Sequence, residues 1–144
     1  MLKALSLLGL LVMVAALVGL YMTGSLISDQ PLVIALQVGA VALMIWARVT
    51  FGLRSFHATA DPTAGGLVTS GPYRSIRHPI YTAVCLFGWA GIVAHWSVAS
   101  VALGAALLGG GLLRMLSEER LVAAKYPEYG EYAKRTKRMI PFVY

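Results

Sequence analysis

The sequence predicts an all-α integral membrane protein with about four transmembrane helices and a further C-terminal helix at the membrane surface. Of its 144 residues, 58% are hydrophobic and 12% are charged, a far more apolar composition than that of ordinary soluble domains. The mean hydropathy is +0.74, and the apolar residues form runs long enough to cross a bilayer. We expect residues 1–144 to form a single membrane domain.

Four apolar segments are the predicted spans, and they cover about residues 4–22, 31–47, 79–94 and 98–116. A cleaved signal peptide is the alternative for the first segment, although this run exceeds the usual apolar core of about 7 to 15 residues. Pro31 begins the second segment, where the first turn of a helix tolerates a residue without an N–H. Only residues 95–97 separate the last two segments, which predicts a tight helical hairpin.

The basic residues predict the orientation of the spans. All twelve lysines and arginines lie outside the connections 24–30 and 95–97, so the positive-inside rule places both termini in the cytoplasm. The expected location is the inner membrane, crossed several times, with the charged segments on the cytoplasmic face. Because the basic residues flank apolar spans and do not form a basic domain, the net charge of +6 does not indicate nucleic-acid binding.

Cysteine and histidine usage does not indicate a metal centre. Cys85 is the single cysteine, and His57, His78 and His95 lie far apart in the sequence. A zinc or iron site needs several such ligands at characteristic spacings. We therefore expect no metal and assign Cys85 to helix packing.

Two polar clusters flank the predicted hairpin. The first runs from Gly71 to Tyr81, ahead of the third span, and the second contains Arg114, Glu118 and Glu119 at the end of the fourth. Since antiparallel neighbours place these ends side by side, we expect the clusters to meet at one membrane face. Beyond the fourth span the charged sequence predicts a continuous helix on the cytoplasmic side, which a proline at position 127 interrupts.

The first cluster also predicts a helix start that suits an anion. Pro79 stands where the third helix begins and His78 where it is capped, which leaves backbone N–H groups at the positive end of the helix for a carboxylate. Arg77 adds a positive charge, and Tyr73 and Tyr81 offer rings and hydroxyl groups. The simpler alternative is that these charges only obey the positive-inside rule and form solvated ion pairs.

Five short elements in and around the clusters form a specific pattern. They are Gly71-Pro72-Tyr73, Arg77-His78-Pro79-x-Tyr81, Glu118-Glu119-x-Leu121, Tyr126…Tyr129-x-x-Tyr132 and Arg138-x-x-Pro141. This pattern resembles the isoprenylcysteine carboxyl methyltransferase and phospholipid methyltransferase family of integral membrane enzymes. The resemblance covers about residues 65–142, while the first two spans carry no recognisable motif.

The resemblance implies S-adenosylmethionine as the cofactor, held by segments 65–81 and 114–141. Carried over position by position, the cofactor-binding residues would be Leu67, Val68, Tyr73, His78, Pro79, Ile80, Tyr81 and Glu118. An arginine at the position of Arg114 contacts the methyl-accepting group in relatives.

We expect methyl transfer to a lipophilic acceptor that enters from the bilayer, either a small molecule or a lipidated substrate. A carboxylate is favoured, because Arg77 or Arg114 could orient it and the sequence shows no obvious buried base. A phospholipid, another amine or a thiol is the alternative acceptor, and its proton could pass to Glu119 or His78. The catalytic candidates are therefore Arg77, Arg114 and Glu119.

Two functions of other classes compete with this prediction. In a non-enzymatic membrane subunit, the charges would dock a partner, and the small residues from Gly104 to Gly111 would pack against other helices. The same stripe could join two copies of the chain as a homo-oligomer. A transporter or channel would be expected to carry a charge inside the bilayer, and the predicted spans carry none mid-span.

Overall fold

A computed structural model of the protein describes residues 1–52 and 66–140, and this part of the chain is helical. The sequence predictions that concern His57, residues 53–65 or residues 141–144 lie outside the described residues. The described helices are α1 (Leu2–Met22), α2 (Pro31–Phe51), α3 (Pro79–Ala94), α4 (Val98–Lys125) and α5 (Tyr129–Arg135), with a 3-10 turn at Gly71–Arg74. The predicted all-α fold is confirmed.

Three of the helices are long and apolar enough to cross a membrane. α1 and α2 have 21 residues each and α4 has 28. α3 has only 16 residues, which at about 1.5 Å per residue span about 24 Å, whereas the hydrocarbon core of a bilayer is about 30 Å thick. Three membrane-spanning helices are therefore supported, and the fourth crossing stays a prediction.

Two helices, α2 and α4, continue past the ends of their predicted membrane spans. α2 continues four residues past its predicted end at 47 and stops at Gly52, where φ is +72° and a helix cannot continue. α4 extends past its apolar part into the polar residues from Ser117 to Lys125, as predicted for a helix continuous with the fourth span. α4 begins at a capping box in which Ser97 and Ser100 bond each other's backbone N–H groups.

The helices pack as two pairs, α1 against α4 and α2 against α3, joined by contacts between α3 and α4. The α1–α4 pair is held at close range by glycines. A Cβ atom on Gly9 would lie 2.6 Å from the carbonyl oxygen of Gly110, and a Cβ on Gly110 would lie 2.8 Å from that of Gly9. Such close backbone approach is how small residues associate helices in lipid, where apolar burial gives little drive.

Part of the glycine stripe is used for packing inside the chain. Gly104 faces Trp89 and Ile92 of α3, and Gly110 faces α1. Gly109 points into open space. A homo-oligomer through this stripe stays a prediction.

The functional elements collect at one end of the bundle. Gly71 has φ +55°, and a Cβ there would lie 2.6 Å from Oγ1 of Thr50, so only glycine allows the 3-10 turn to sit against the end of α2. The ring of Tyr73 then packs 5.5 Å from that of Phe51. Since the α4 guanidinium of Arg114 reaches the first turns of α1, this end gathers parts of α1, α2, α3 and α4.

Substitution of Gly110 by Ala should destabilise the protein, because its Cβ would meet the backbone of α1, which cannot rotate away. We expect a loss of about 1 to 3 kcal/mol, as for an overpacked core, measured as a lower thermal midpoint in detergent. Gly109→Ala is the matched control, since its Cβ meets nothing within 4 Å. Equal midpoints for the two variants would show that the close crossing of α1 and α4 is absent.

Candidate active site

His78 lies between two glutamates of α4 at the polar end of the bundle. Its Nε2 is 3.2 Å from Oε1 of Glu119, and its Nδ1 is 4.0 Å from Oε2 of Glu118. The imidazole is 9% exposed. The predicted meeting of the two polar clusters is thus observed, with His78 at its centre.

The first group of contacts, which we call the Glu118 cluster, consists of Tyr81, Arg114 and Glu118. Nε of Arg114 donates to the hydroxyl of Tyr81 at 2.5 Å, and this hydroxyl donates to Oε1 of Glu118 at 2.5 Å. Arg114 also forms an ion pair with Oε1 of Glu118 at 3.1 Å and donates to the carbonyl of Ser6 in α1 at 3.3 Å. Both contacts of Glu118 with these partners use Oε1.

The second group, the Glu119 cluster, consists of Arg77, His78, Glu119 and Arg138. Oε1 of Glu119 accepts from Nε of Arg77 at 2.9 Å and from Nε of Arg138 at 3.2 Å, and Oε2 accepts from the same Arg138 atom at 3.1 Å. Burial alone would raise the pKa of Glu119, but the hydrogen bonds from His78 and Arg77 outweigh it and lower the pKa from 4.5 to about 2. This carboxylate, in the polar extension of α4 beyond the predicted span, is therefore ionised at neutral pH.

The C-terminal segment, residues 129–140, covers the Glu119 cluster and is held there by backbone hydrogen bonds. The N–H groups of Arg77 and His78 donate to the carbonyls of Lys137 and Arg138 at 2.7 and 2.9 Å, next to an isolated parallel bridge between Ile76 and Lys137. Nη1 of Arg77 donates to the carbonyls of residues 133 and 136 at 2.9 and 2.6 Å. One arginine thus joins the start of α3, α4 and the C-terminal segment.

Tyrosine and threonine side chains add to this closure. The hydroxyl of Tyr132 donates to the carbonyl of Tyr73 at 2.8 Å, and Oγ1 of Thr82 donates to the carbonyl of Met139 at 2.9 Å. Met139 is itself buried in the apolar core. Burial and then the charge of Glu119 raise the pKa of Tyr129 above its usual range, so this phenol stays protonated.

Of the eleven predicted site residues, six contact one another in the structure. The other five lie in the first turn of α3 or in the stretch that leads to it. Arg77, His78, Tyr81, Arg114, Glu118 and Glu119 share the contacts described above. Pro79 and Ile80 form the first turn of α3, and Leu67 and Val68 are half-buried in the stretch leading to the 3-10 turn. Tyr73 is 5% exposed.

Backbone N–H groups at the start of α3 were expected to face a carboxylate. The N–H of His78, the capping residue, is bonded to the carbonyl of Arg138, and the anion site at the first turn stays a prediction. Arg77 and Arg114 were expected to orient an acceptor carboxylate, but each guanidinium is ion-paired with a glutamate. A carboxylate acceptor therefore stays a prediction.

Sequence reasoning missed Arg138 and Thr136 as parts of the site. Arg138 belongs to the Arg138-x-x-Pro141 element of the family pattern, and this element was the signal that could have identified it as a site residue. No periodicity marks the segment around Thr136, because its contacts run through backbone carbonyls. Ser6 of α1, which contacts Arg114, lies in a span without any motif.

An apolar groove of about 130 Å³ opens between α1, α2 and α3. It is lined by residues such as Leu17, Met44 and Phe87, and its α3 wall includes Ala83 and Val84, within one turn of Tyr81 in the sequence. The groove is apolar and holds none of the charged residues of the site.

The sequence profile of the phospholipid methyltransferase family matches residues 31–129. The chain belongs to this family. The match spans α2, the 3-10 turn, α3 and α4, and so includes both glutamates of the site, whereas α1 and Arg138 lie outside it. The resemblance noted in the sequence is thereby confirmed, and with its three long apolar helices this family member is an integral membrane protein.

Two curated relatives share about half of the chain. The cobalt-zinc-cadmium resistance protein CzcN of Cupriavidus metallidurans is 42% identical over 80 residues, which are 52% of this chain and 35% of the relative. The nickel-cobalt-cadmium resistance protein NccN of Alcaligenes xylosoxydans xylosoxydans is 36% identical over 78 residues, 52% of this chain and 36% of the relative. The chain thus matches about a third of the length of each relative. No solved structure matches this family member.

Acid should destabilise the fold through Glu119. Its pKa is about 2 in the folded protein and 4.5 in the absence of these contacts, so its stabilising contribution is fully present above about pH 4.5 and is lost as the pH falls towards 2. The thermal midpoint in detergent should therefore fall over this range, and less steeply in Glu119→Gln. If the thermal midpoints of the two proteins fell equally with pH, the stabilising role assigned to Glu119 would be contradicted.

Arg77 should be required for closure of the C-terminal segment. Arg77→Lys keeps the charge but cannot contact Glu119 and two carbonyls at the same time. We expect chymotrypsin to cleave the segment around Tyr129 and Tyr132 several times faster in this variant. Arg74→Lys is the control, since Arg74 is exposed, and equal cleavage rates in both variants would refute the role of Arg77.

Proposed function

We propose that this chain is an S-adenosylmethionine-dependent methyltransferase that acts on a lipophilic acceptor at the cytoplasmic face of the membrane. The proposal rests on the contact between the Arg77-His78-Pro79-x-Tyr81 element and the Glu118-Glu119 pair. Both lie within the region that matches the methyltransferase family, and His78 contacts both glutamates. The one-sided distribution of the basic residues supports the cytoplasmic orientation.

The residues at the site fit the cofactor by their chemistry. S-adenosylmethionine carries an ammonium group and a ribose diol, which need hydrogen-bond acceptors. Oε2 of Glu118 is a hydrogen-bond acceptor, and the side chain of Glu118 is 23% exposed. Its adenine ring needs apolar and aromatic neighbours, for which Leu67, Val68 and Tyr73 are candidates. When bound, the cofactor would supply an electrophilic methyl group to the acceptor, with its thioether as the leaving group.

The chain's own contribution is positioning in a site shielded from water. Arg114 and the hydroxyl of Tyr81 fix Oε1 of Glu118 from two directions, which leaves Oε2 to face a ligand. The C-terminal segment, held by Arg77, covers the start of α3. These contacts keep the polar groups in one arrangement before any ligand binds.

The acceptor is proposed to reach the site from the bilayer. The apolar groove between α1, α2 and α3 suits an alkyl or prenyl chain, and its α3 wall is adjacent in sequence to Tyr81. The acceptor group, a carboxylate or alternatively an amine or a thiol, stays a prediction, and Arg77 and Arg114 are each ion-paired with a glutamate.

The names of the two relatives connect them with resistance to cobalt, zinc, nickel and cadmium. Within residues 1–52 and 66–140, no group of three or more histidine, cysteine, aspartate or glutamate side chains is placed to hold a metal ion. We therefore propose that any share of this chain in such resistance acts through methylation of a membrane component.

Cofactor binding tests the proposal against a non-enzymatic membrane subunit. Calorimetry of the detergent-solubilised chain with S-adenosylmethionine should give a saturable heat, and Glu118→Gln should weaken the affinity at least tenfold by loss of the charged acceptor. Glu131→Gln is the control, because Glu131 is 73% exposed and forms its ion pair with Lys134 on the same surface of α5, away from the two clusters of the site. Absence of heat from the unmodified chain, with the cofactor in large excess, would refute the enzyme assignment.

The acceptor can be found in the same preparation. The chain is incubated with methyl-labelled S-adenosylmethionine and a membrane extract of the source organism, and the lipid and protein fractions are separated. We expect label in a lipophilic product. Label only in water-soluble products would contradict a bilayer-borne acceptor.

A further inference from the structure

Helix α1 reaches the site through the main chain of its second turn. We propose that α1 is a positioning element of the site, in which the carbonyl of Ser6 and the missing side chain of Gly9 hold the guanidinium of Arg114 in place. α1 lies outside residues 31–129, the region that matches the family, so the family match assigns it no such role. The share of α1 in methyl transfer rests on the proposed function, whereas its contact with Arg114 does not.

Contacts from three helices orient Arg114. Nη1 donates to the carbonyl of Ser6 in α1 at 3.3 Å. Nε donates to the hydroxyl of Tyr81 in α3 at 2.5 Å and forms an ion pair with Oε1 of Glu118 in α4 at 3.1 Å. Because the guanidinium is planar and rigid, a bond that fixes Nη1 also fixes the direction of Nε. The carbonyl of Ser6 therefore helps to aim Arg114 at Glu118 and Tyr81.

Burial strengthens the contact between α1 and Arg114. Arg114 is 6% exposed and Ser6 is 0% exposed, so water does not compete for this hydrogen bond. A bond from a charged donor is stronger than one between neutral groups, and exclusion of water strengthens it further. A carbonyl oxygen has two lone pairs, so that of Ser6 can accept from Arg114 in addition to the N–H groups of its own helix. We therefore expect the guanidinium to follow this carbonyl when α1 moves.

Gly9 sets the distance between α1 and Arg114. A Cβ atom on Gly9 would lie 3.1 Å from the backbone nitrogen of Arg114 and 3.2 Å from its Cβ, as well as 2.6 Å from the carbonyl oxygen of Gly110. None of these atoms can rotate away, so a side chain at position 9 would push the two helices apart beside Arg114. The bond of 3.3 Å to Ser6 is already at the long end of the N–H···O range. A small separation would therefore break it.

Gly19 provides a matched control in the same helix. It also faces α4, and a Cβ atom there would lie 2.8 Å from Cδ2 of Leu103. This atom is the end of a flexible side chain that can move. Gly19 lies about 15 Å from Gly9 along the helix axis. Gly19→Ala therefore perturbs the packing of α1 on α4 at a distance from Arg114.

The orientation of the guanidinium can be measured without any turnover. In the chain labelled with ¹⁵N-arginine in detergent, the Nε–H signal of Arg114 is assigned by its loss in Arg114→Lys. We expect Gly9→Ala to shift this signal and Gly19→Ala to leave it in place, because only the first substitution meets the backbone beside Arg114. An unchanged Arg114 signal in folded Gly9→Ala would overturn the proposal.

An ester in place of one amide tests the carbonyl of Ser6 directly. Incorporation of the α-hydroxy analogue of leucine at position 7 makes this carbonyl a weaker acceptor and keeps every side chain, so it tests the proposal even if Gly9→Ala does not fold. The same exchange at position 18, with the hydroxy analogue of valine, is the control about 16 Å away. We expect the Arg114 signal to shift only with the ester at position 7. The same signal in both esters would refute the role of the carbonyl.

Cofactor affinity shows whether this orientation is needed by the site. Calorimetry with S-adenosylmethionine is carried out at a temperature at which both glycine variants are folded. We expect the affinity to fall about fivefold or more in Gly9→Ala and to stay within about twofold in Gly19→Ala, as for loss of one hydrogen bond to a charged group. Equal affinities of the two variants would contradict the role of α1 and leave the methyltransferase assignment intact. An unmodified chain that binds no cofactor would contradict the proposed function, while the Arg114 signal would still test the contact with α1.

Discussion

The ion-pair network of Glu119 is the interaction on which both the site and the end of the fold depend. This carboxylate, 12% exposed, contacts side chains from the start of α3 and from the C-terminal segment. A buried charge is tolerated only when it is paired and hydrogen-bonded, and here each partner also needs the carboxylate. Loss of Glu119 would remove the carboxylate that Arg77 and Arg138 share, so the geometry of the site and the closure of the C-terminal segment are not separable.

The two neighbouring glutamates have different environments because a helix turns by about 100° per residue. Glu119 faces inward and is held by two arginines. Glu118 is partly exposed, at 23%, and contacts Arg114 and Tyr81 through one of its two oxygens. His78 lies between them and contacts both sides. A pair of identical residues thus supplies one anchored carboxylate and one carboxylate that can meet a ligand.

Hydropathy and charge were sufficient to predict the helices and the meeting of the polar clusters, because a three-residue link between α3 and α4 permits few arrangements. The pairing of α1 with α4 was not predictable, since lipid-facing helices have no apolar face that marks the interface, and it depends on the local fit of Gly9 and Gly110. Ion pairing of Arg114 with the glutamates that follow it was weighed as the simpler alternative, whereas the partners of Arg77 were missed. Sequence shows that a cation is present at a membrane face but not which carboxylate its guanidinium reaches.

The partners of the arginines change the chemistry that the same residues suggest. Two arginines without counter-charges would attract an anionic acceptor, but in the structure their charge is balanced by Glu118 and Glu119. What remains at the centre is a histidine with a carboxylate behind one nitrogen and a wider gap in front of the other. The number of arginines in a sequence therefore does not show how much of their positive charge is left uncompensated at a site.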